Sequence, residues 1–352
     1  MKNKRVTLEQ IAKEINISRV TISKFLNGKG NLRDVNRIAV MEALERYGYR
    51  QNFAAKSLAM NRTFSVGFVC FDSPRSPYFL KTILAGVEEA QNQFLDYGLH
   101  VHTRVTNIDY PEQQLEALQS LVKDRMDAIA IIPNDIFKPD VAQQIALLVD
   151  NICFDGIPVI TVNRDIPHSK RTAYIGCDYK TSGMMAAELL AKFVKEGEIL
   201  VSLASRNVQL IDVRSRLEGL IEVFANYPKL TIVPHYYYEG DNEAYIRHIQ
   251  DFIQSSPCEK GLLDISYQLQ HVAEQVQQNN KHLYIVGFDQ YLGYESHMNK
   301  HLVDCIVTQD MFAQGYQAIN YMFQLILQDN QEIDVMPIKN EIIIASNLSS
   351  YA

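Results

Sequence analysis

From Phe64 onward the chain alternates short apolar runs with amphipathic helical stretches, and this alternation is what most limits the folds open to it. "FSVGFVCF" reads as a strand, "YFLKTILAGVEEAQNQFLDYG" as a helix, "HVHTRV" as a strand and "PEQQLEALQSLVKD" as a helix. "DAIAIIP", "PVITVN", "EILVSLAS", "LTIVPHYYY", "KGLLDI" and "LYIVGFD" extend the strand series, each separated from the next by a helical pattern. Apolar strands that alternate with helices belong to parallel sheets buried on both faces. Residues 64–346 are enough for two such doubly wound lobes, with a cleft at the carboxyl ends of their strands.

Charge divides the chain differently. Residues 1–62 carry 13 Lys+Arg against 5 Asp+Glu, whereas the remaining 290 residues carry 21 against 36. A cationic end on an acidic body points to a nucleic-acid or membrane contact at that end. No apolar run is long enough to span a bilayer and no apolar h-region opens the chain, so neither a membrane span nor a secretory signal is expected. The five cysteines (70, 153, 177, 258 and 305) are scattered and form no C-x-x-C, which favours reduced thiols over a disulfide framework or zinc site. These features together predict a cytoplasmic protein.

The basic end is patterned as helices. Thr7, Leu8, Glu9 and Gln10 fit a capping box, and Leu8, Ile11 and Ala12 share a helical face. Asn16 suits the left-handed residue of a tight turn. Ser18 is a second N-cap, with Ile17 and Ile22 placed to close a hydrophobic staple. The second helix buries Ile22, Phe25 and Leu26 and leaves Arg19, Val20, Ser23 and Lys24 outside. A third, at about 36–47, buries Val40, Ala43, Leu44 and Tyr47. Two short helices joined by a tight turn, with a basic polar face outward, read as a helix-turn-helix; a purely structural three-helix bundle is the alternative. The surplus of cations favours the former, because Lys and Arg supply most non-specific affinity for DNA.

"VTLEQIAKEINISRVTISKFLNG", followed by "YGYRQNFAAKSLAMNRTFSVGFV", resembles the N-terminus of the lactose-repressor (LacI/GalR) family of transcription regulators. The resemblance implies that Arg19 and Val20 read bases at the start of a recognition helix, with Lys24 a further major-groove contact. It places Thr7, Ser18, Thr21, Ser23 and Asn27 along the same DNA-binding surface. Asn52–Ala59 matches the family's hinge helix, which implies contacts from Asn52 and Ala55 and a minor-groove wedge at Leu58. Two positions depart from the pattern. Tyr49-Arg50-Gln51-Asn52 lacks the usual proline, and Arg33 and Asn36 stand where serine and threonine are common.

Residues 64–346 resemble the family's effector domain, which shares its fold with ribose-type periplasmic binding proteins (periplasmic binding protein type I-like). "DSPRSPYF" brings Tyr78 and Phe79, "IPVITVNRD" brings Asn163 and Arg164, and "YIGCDYKTSGMMAAELL" carries Asp178 and Gly183. "VRSRLEGL" is matched to an R-x-x-G motif through Arg214, "YIVGFDQ" ends at Asp289, and "CIVTQD" brings Gln309. These types suit a sugar: aromatic rings for its C–H faces, forked guanidinium donors, a carboxylate acceptor, and amides that do both. Asn163 replaces the ribose-type aspartate, and Asp264-Ile265-Ser266-Tyr267 departs from the common pattern.

The expected organisation is a helix-turn-helix DNA-binding domain over 1–50, a hinge helix and linker over 51–62, and a two-lobed effector-binding and dimerisation domain over 63–352. The expected partners are a pseudo-palindromic operator duplex, a sugar-like effector and a second copy of the chain. A purine or other non-sugar effector, and a solute-binding protein, remain as alternatives. No G-x-G-x-x-G, Walker, G-x-S-x-G or H-E-x-x-H motif is present, so no enzyme, cofactor or metal is expected. His100 and His102 alternate on a strand as edge or surface residues. No heptad tail of the kind that tetramerises some relatives follows "EIIIASNL".

Overall fold

A computed structural model describes residues 8–26, 36–37, 39–40, 43, 46–47, 63–72, 77–134, 138–204, 210–237, 242–255, 259–265, 268–279, 283–327 and 335–351. Among the described residues after 63, two six-stranded sheets organise the structure. The first contains β1 (Phe64–Asp72), β2 (Leu99–Asn107), β3 (Ala128–Ile131), β4 (Val159–Val162), β5 (Ala173–Cys177) and β11 (Val335–Ile338), in the order β11-β5-β4-β3-β1-β2. The second contains β6 (Gly197–Ala204), β7 (Leu230–Tyr237), β8 (Glu259–Asp264), β9 (Tyr284–Phe288), β10 (Cys305–Thr308) and β12 (Glu341–Ile343), in the order β12-β10-β9-β8-β6-β7. Pairing is parallel throughout, apart from β12, which runs antiparallel to β10. Strands such as β3, β4 and β10 are buried at every residue, which is why each reads as an unbroken apolar run. His100 is exposed and His102 half-buried on β2, the edge of the first sheet.

Helices cover both sheets. α3 (Pro77–Phe94), α4 (Gln113–Lys123) and α5 (Pro139–Phe154) follow β1, β2 and β3; α7 (Ile211–Phe224), α8 (Asn242–Gln254) and α9 (Leu269–Asn279) follow β6, β7 and β8. Two helices exchange lobes. α6 (Tyr179–Phe193) leaves β5 and packs with its Ala186, Ala187 and Leu190 in the core of the second sheet. α11 (Met311–Leu327) leaves β10 and packs Ala318, Ile319, Met322 and Phe323 in the core of the first. The step from β11 to β12 makes a third crossing, where the Asn340 side chain donates to the Asp178 carbonyl at 2.8 Å. Asp178 and Asp310 begin the two exchanged helices in the same way, accepting from the amides of Thr181 (3.0 Å) and Ala313 (2.9 Å).

Each exchanged helix lies unusually close to the first helix of its adopted lobe. A Cβ on Gly183 of α6 would fall 2.1 Å from the Arg216 carbonyl oxygen of α7, and one on Gly219 would fall 2.1 Å from the Lys180 carbonyl oxygen. The pair α3 and α11 repeats this contact through Gly86 and Gly315. Only residues without Cβ permit backbones to meet this closely.

At the other end of the chain, α1 (Leu8–Glu14) and α2 (Arg19–Leu26) are joined through Asn16, whose φ is 52°. Ile11, Ile22, Val40 and Ala43 are buried beneath them, with Leu8, Ile15, Ile17 and Phe25 packed around. Tyr47 departs from the sequence expectation. It is 38% exposed, because its hydroxyl reaches out to donate to the Glu14 carboxylate, which also pairs with Arg46 at 3.2 Å.

Gly183→Ala forces the α6–α7 contact apart and is expected to destabilise the protein by about 1–3 kcal/mol. Urea unfolding measures this, and an unchanged midpoint would contradict the close approach.

Candidate functional site

β4 and β9 occupy equivalent places in their sheets, and each ends in a short polar residue with left-handed backbone: Asn163 at φ 64° and Asp289 at φ 63°. Asn and Asp tolerate this conformation better than other side-chain-bearing residues. Their amides still complete the sheets, Asn163 bonding to the Ile175 carbonyl at 2.8 Å and Asp289 to that of Val307 at 3.0 Å.

Between them lies Gln309, which directly follows β10. Its Nε2 donates to Asp289 Oδ2 at 2.8 Å, which leaves Oε1 facing Asn163 Nδ2, also at 2.8 Å. A carboxylate only accepts, so Asp289 fixes which way the amide points. Gln314 joins from α11: its Oε1 accepts from Asn163 at 3.1 Å and its Nε2 donates to the Gln309 carbonyl at 2.8 Å. The Tyr174 hydroxyl donates to the Asn163 carbonyl at 2.9 Å, and the Tyr179 hydroxyl lies against the same oxygen. Asn163, Gln309 and Gln314 are all buried, and the network satisfies them.

On the second lobe this chain ends in charge. Arg216 of α7 is 1% exposed, and its Nη2 stands 3.4 Å from Asp289 Oδ2. Its guanidinium also lies over the Phe288 ring (4.1 Å to centroid) and near that of Tyr179 (5.3 Å), so aromatic faces replace water around the cation. Burial pushes the Asp289 carboxyl above its ordinary range, with Arg216 and Gln309 drawing it back. Burial likewise pushes the neighbouring Cys177 thiol up to about 12, which keeps it protonated and unreactive.

The expected effector residues, Arg214 aside, therefore fall into three sets of contacts. Asn163, Gln309 and Asp289 form the hydrogen-bonded chain. Phe79 stacks on Phe71 at 5.9 Å, and Arg164, next to Asn163, lies over the same Phe71 ring at 5.4 Å. Tyr78 meets Tyr294 of α10 (Tyr294–Asn299) edge to face at 6.2 Å. Arg214 stands apart. It is exposed on α7, and the buried position belongs to Arg216, two residues on and across the helix. The motif spacing carries the signal for this, since Arg216 lies three residues before Gly219, the residue pressed against α6. Tyr179, Gln314 and Phe288 were not anticipated from the sequence, and no motif marks them.

Of the expected DNA-contacting residues, Ser18 caps α2, accepting from the Thr21 amide at 3.0 Å. Arg19 and Thr21 are exposed and Val20 is 63% exposed. Ser23 and Lys24 fall within α2. Thr7, Asn27, Asn52, Ala55 and Leu58 lie outside the described residues.

The periplasmic binding protein domain model matches residues 66–330. The chain therefore belongs to that domain family, and within it the chain resembles the lactose-repressor (LacI/GalR) regulators. Catabolite control protein A of Staphylococcus epidermidis is 26% identical over 250 residues, which span 71% of this chain and 70% of the relative. The probable HTH-type transcriptional repressor ExuR of Bacillus subtilis is 25% identical over 224 residues, spanning 63% of this chain and 61% of the relative. Two solved structures share the fold. A putative LacI transcriptional regulator from Bacteroides fragilis gives a TM-score of 0.69 at 15% identity, covering 83% of this chain and 100% of its own. A D-arabinose-bound solute binding protein of an ABC transporter from Burkholderia graminis gives 0.70 at 19%, covering 83% and 98%.

Breaking the buried pair with Arg216→Ala strands the Asp289 carboxylate and is expected to cost about 3–5 kcal/mol. Arg214→Ala, at an exposed position, should stay within about 0.5 kcal/mol of the parent. Parallel urea titrations of the two variants decide between the arginines.

Proposed function

We propose that this protein is a ligand-responsive, sequence-specific DNA-binding transcriptional repressor of the cytoplasm. Residues 1–50 form its helix-turn-helix domain, 51–62 a hinge helix and linker, and 63–352 an effector-binding domain through which it dimerises. The observation that carries this is the exposed, capped start of α2: Arg19 and Val20 stand outward on a segment rich in cations, joined to an acidic two-lobed body. Arg19 supplies forked donors for a base edge, and Val20 supplies an apolar surface for a thymine methyl group. The regulator names of the curated relatives support the same role.

The effector is sugar-like and binds between the lobes, beside Tyr78, Phe79, Asn163, Arg164, Asp289 and Gln309, with Arg216 in the place first given to Arg214. The sugar bound by the Burkholderia graminis protein supports this class. Lobe closure around the effector then shifts the geometry of the dimer and of its paired hinge helices, and releases the operator. Coupling of this kind is typically about 1–3 kcal/mol and acts reciprocally on both ligands. The role requires no catalytic step, metal or cofactor. A solute-binding role has only the shared fold in its favour and leaves the cationic end without a use.

Selection of bound duplexes from a random DNA library by the purified protein is expected to return a pseudo-palindrome. Arg19→Ala should relax preference at one base pair in each half-site by about 1–3 kcal/mol, read by fluorescence anisotropy. A selection that enriches no sequence would remove the regulator reading.

A further inference from the structure

Tyr78 and Phe79 are neighbours at the start of α3, yet they serve different lobes. Successive residues of a helix point about 100° apart. Phe79 turns toward the first sheet, where it stacks on Phe71 and packs against the core of lobe 1. Tyr78 packs instead against the core that α8, α9 and α10 build on their face of the second sheet. Its ring meets Tyr294 edge to face at 6.2 Å, an arrangement that aromatic rings favour. Burial pushes the Tyr78 hydroxyl above its ordinary value, and the Glu295 carboxylate of α10 adds to the effect. The Thr82 hydroxyl donates to the Tyr78 carbonyl at 2.8 Å and secures the first turn of α3.

The receiving side is firmly held. Tyr294 is fully buried, and its hydroxyl donates to the Tyr351 carbonyl at 3.0 Å. The Tyr351 hydroxyl donates in turn to Glu341 Oε2 of β12 at 2.8 Å, so Tyr294 is tied through that residue to the second sheet. Tyr291 packs against Tyr294 as well, ring to ring at 6.4 Å, and its own hydroxyl is paired with His297 Nδ1 at 2.9 Å.

Lobe 1 sends a second apolar side chain across. Ile108, just after β2, packs against the core of lobe 1 and also against the lobe 2 core under α6 and α7. That core lies on the other face of the second sheet, since β6 gives Val201 to it and Leu200 to the core that receives Tyr78. Tyr78 and Ile108 therefore engage the second sheet from its two faces.

We infer that Tyr78 and Ile108 form a clasp that sets the balance between open and closed lobes, with Tyr294 as the seat that receives Tyr78. This goes beyond the effector reading and holds whatever molecule the cleft takes. The physical basis is differential contact. Opening strips both side chains of their lobe 2 neighbours and returns apolar surface to water, while the contacts within each lobe stay as they are. The apparent affinity of any ligand that acts by closing the lobes then depends on the clasp as well as on the ligand's own contacts.

The test reads the distance between the lobes. Spin labels carried on unnatural amino acids are placed at the exposed Asn151 of α5 and Asn226 just after α7. The labelled full chain is co-expressed with an excess of unlabelled chain and measured by pulsed electron resonance. The parent is compared with Tyr78→Ala, with the double variant Tyr78→Ala/Ile108→Ala, and with Tyr294→Phe, which loses only the hydroxyl held by Tyr351. Val276→Ala, a truncation inside the same lobe 2 core, is the control. Tyr78→Ala is expected to raise the ratio of open to closed forms roughly tenfold, and the double variant roughly a hundredfold. Both should gain a longer distance beside the parent's, with Tyr294→Phe between the parent and Tyr78→Ala. Val276→Ala should lower the melting temperature and leave the distance where it is. Distances unchanged from the parent in both Tyr78→Ala and the double variant would overturn the clasp. So would a gain in Val276→Ala equal to that in Tyr78→Ala, because opening would then follow from lost stability alone.

Discussion

Gln309 has one side-chain amide, and that amide is asked to face two ways. Toward the second lobe it must donate, because Asp289 is a carboxylate. Toward the first it must accept, because Asn163 presents its Nδ2. Both demands are met by one orientation, so the position of one lobe against the other is written into a chemically directional bond rather than into shape alone. The chain continues through Asp289 to Arg216 and is closed off by the rings of Phe288 and Tyr179. A buried ion pair contributes little net stability against a well-packed apolar substitute. Its value here is positional: it holds Asp289 with one oxygen engaged and the other open.

The left-handed turns at Asn163 and Asp289, the Asp178 and Asp310 caps, and the glycine contacts of α6 with α7 and α3 with α11 occur once per lobe. The lobes are thus two versions of one design, each lending its partner a helix. Close backbone contact joins each borrowed helix to the first helix of its new lobe, α6 to α7 through Gly183 and Gly219 and α11 to α3 through Gly86 and Gly315.

Much of this was legible in the sequence, for identifiable reasons. Strands buried on both faces cannot hide their apolarity, so β1, β3, β4, β6, β8 and β9 were readable. β5 was not, since "AYIGC" mixes a tyrosine, a glycine and a cysteine in five residues. Nor was β11, an edge strand that alternates in burial and contains Pro337. The left-handed Asn16 and the Ser18 cap were legible because their chemistry is local. The exchange of helices between lobes was not, because neither α6 nor α11 carries a local pattern naming the sheet it will cover. Arg214 and Arg216 show the same limit on a smaller scale: two arginines on one helix, told apart by the glycine that fixes which face is turned inward.

The exchange of helices has a consequence for how the protein is made. Lobe 1 begins at Phe64, yet the helix that covers one face of its sheet, with Ala318, Ile319, Met322 and Phe323, comes only after all the strands of lobe 2 but β12. While the chain emerges from the ribosome, the half synthesised first is therefore the half that must wait. Until residue 327 is out, that face of the sheet has α3 alone over it, through Ile83, Val87, Ala90 and Phe94, and the apolar surface left beside it invites association with other chains. Lobe 2, by contrast, has α6 in hand before its first strand is built. Lobe 1 thus receives α11 and β11 only after most of lobe 2 has been made, and the interval before α11 docks is when that half most needs shelter.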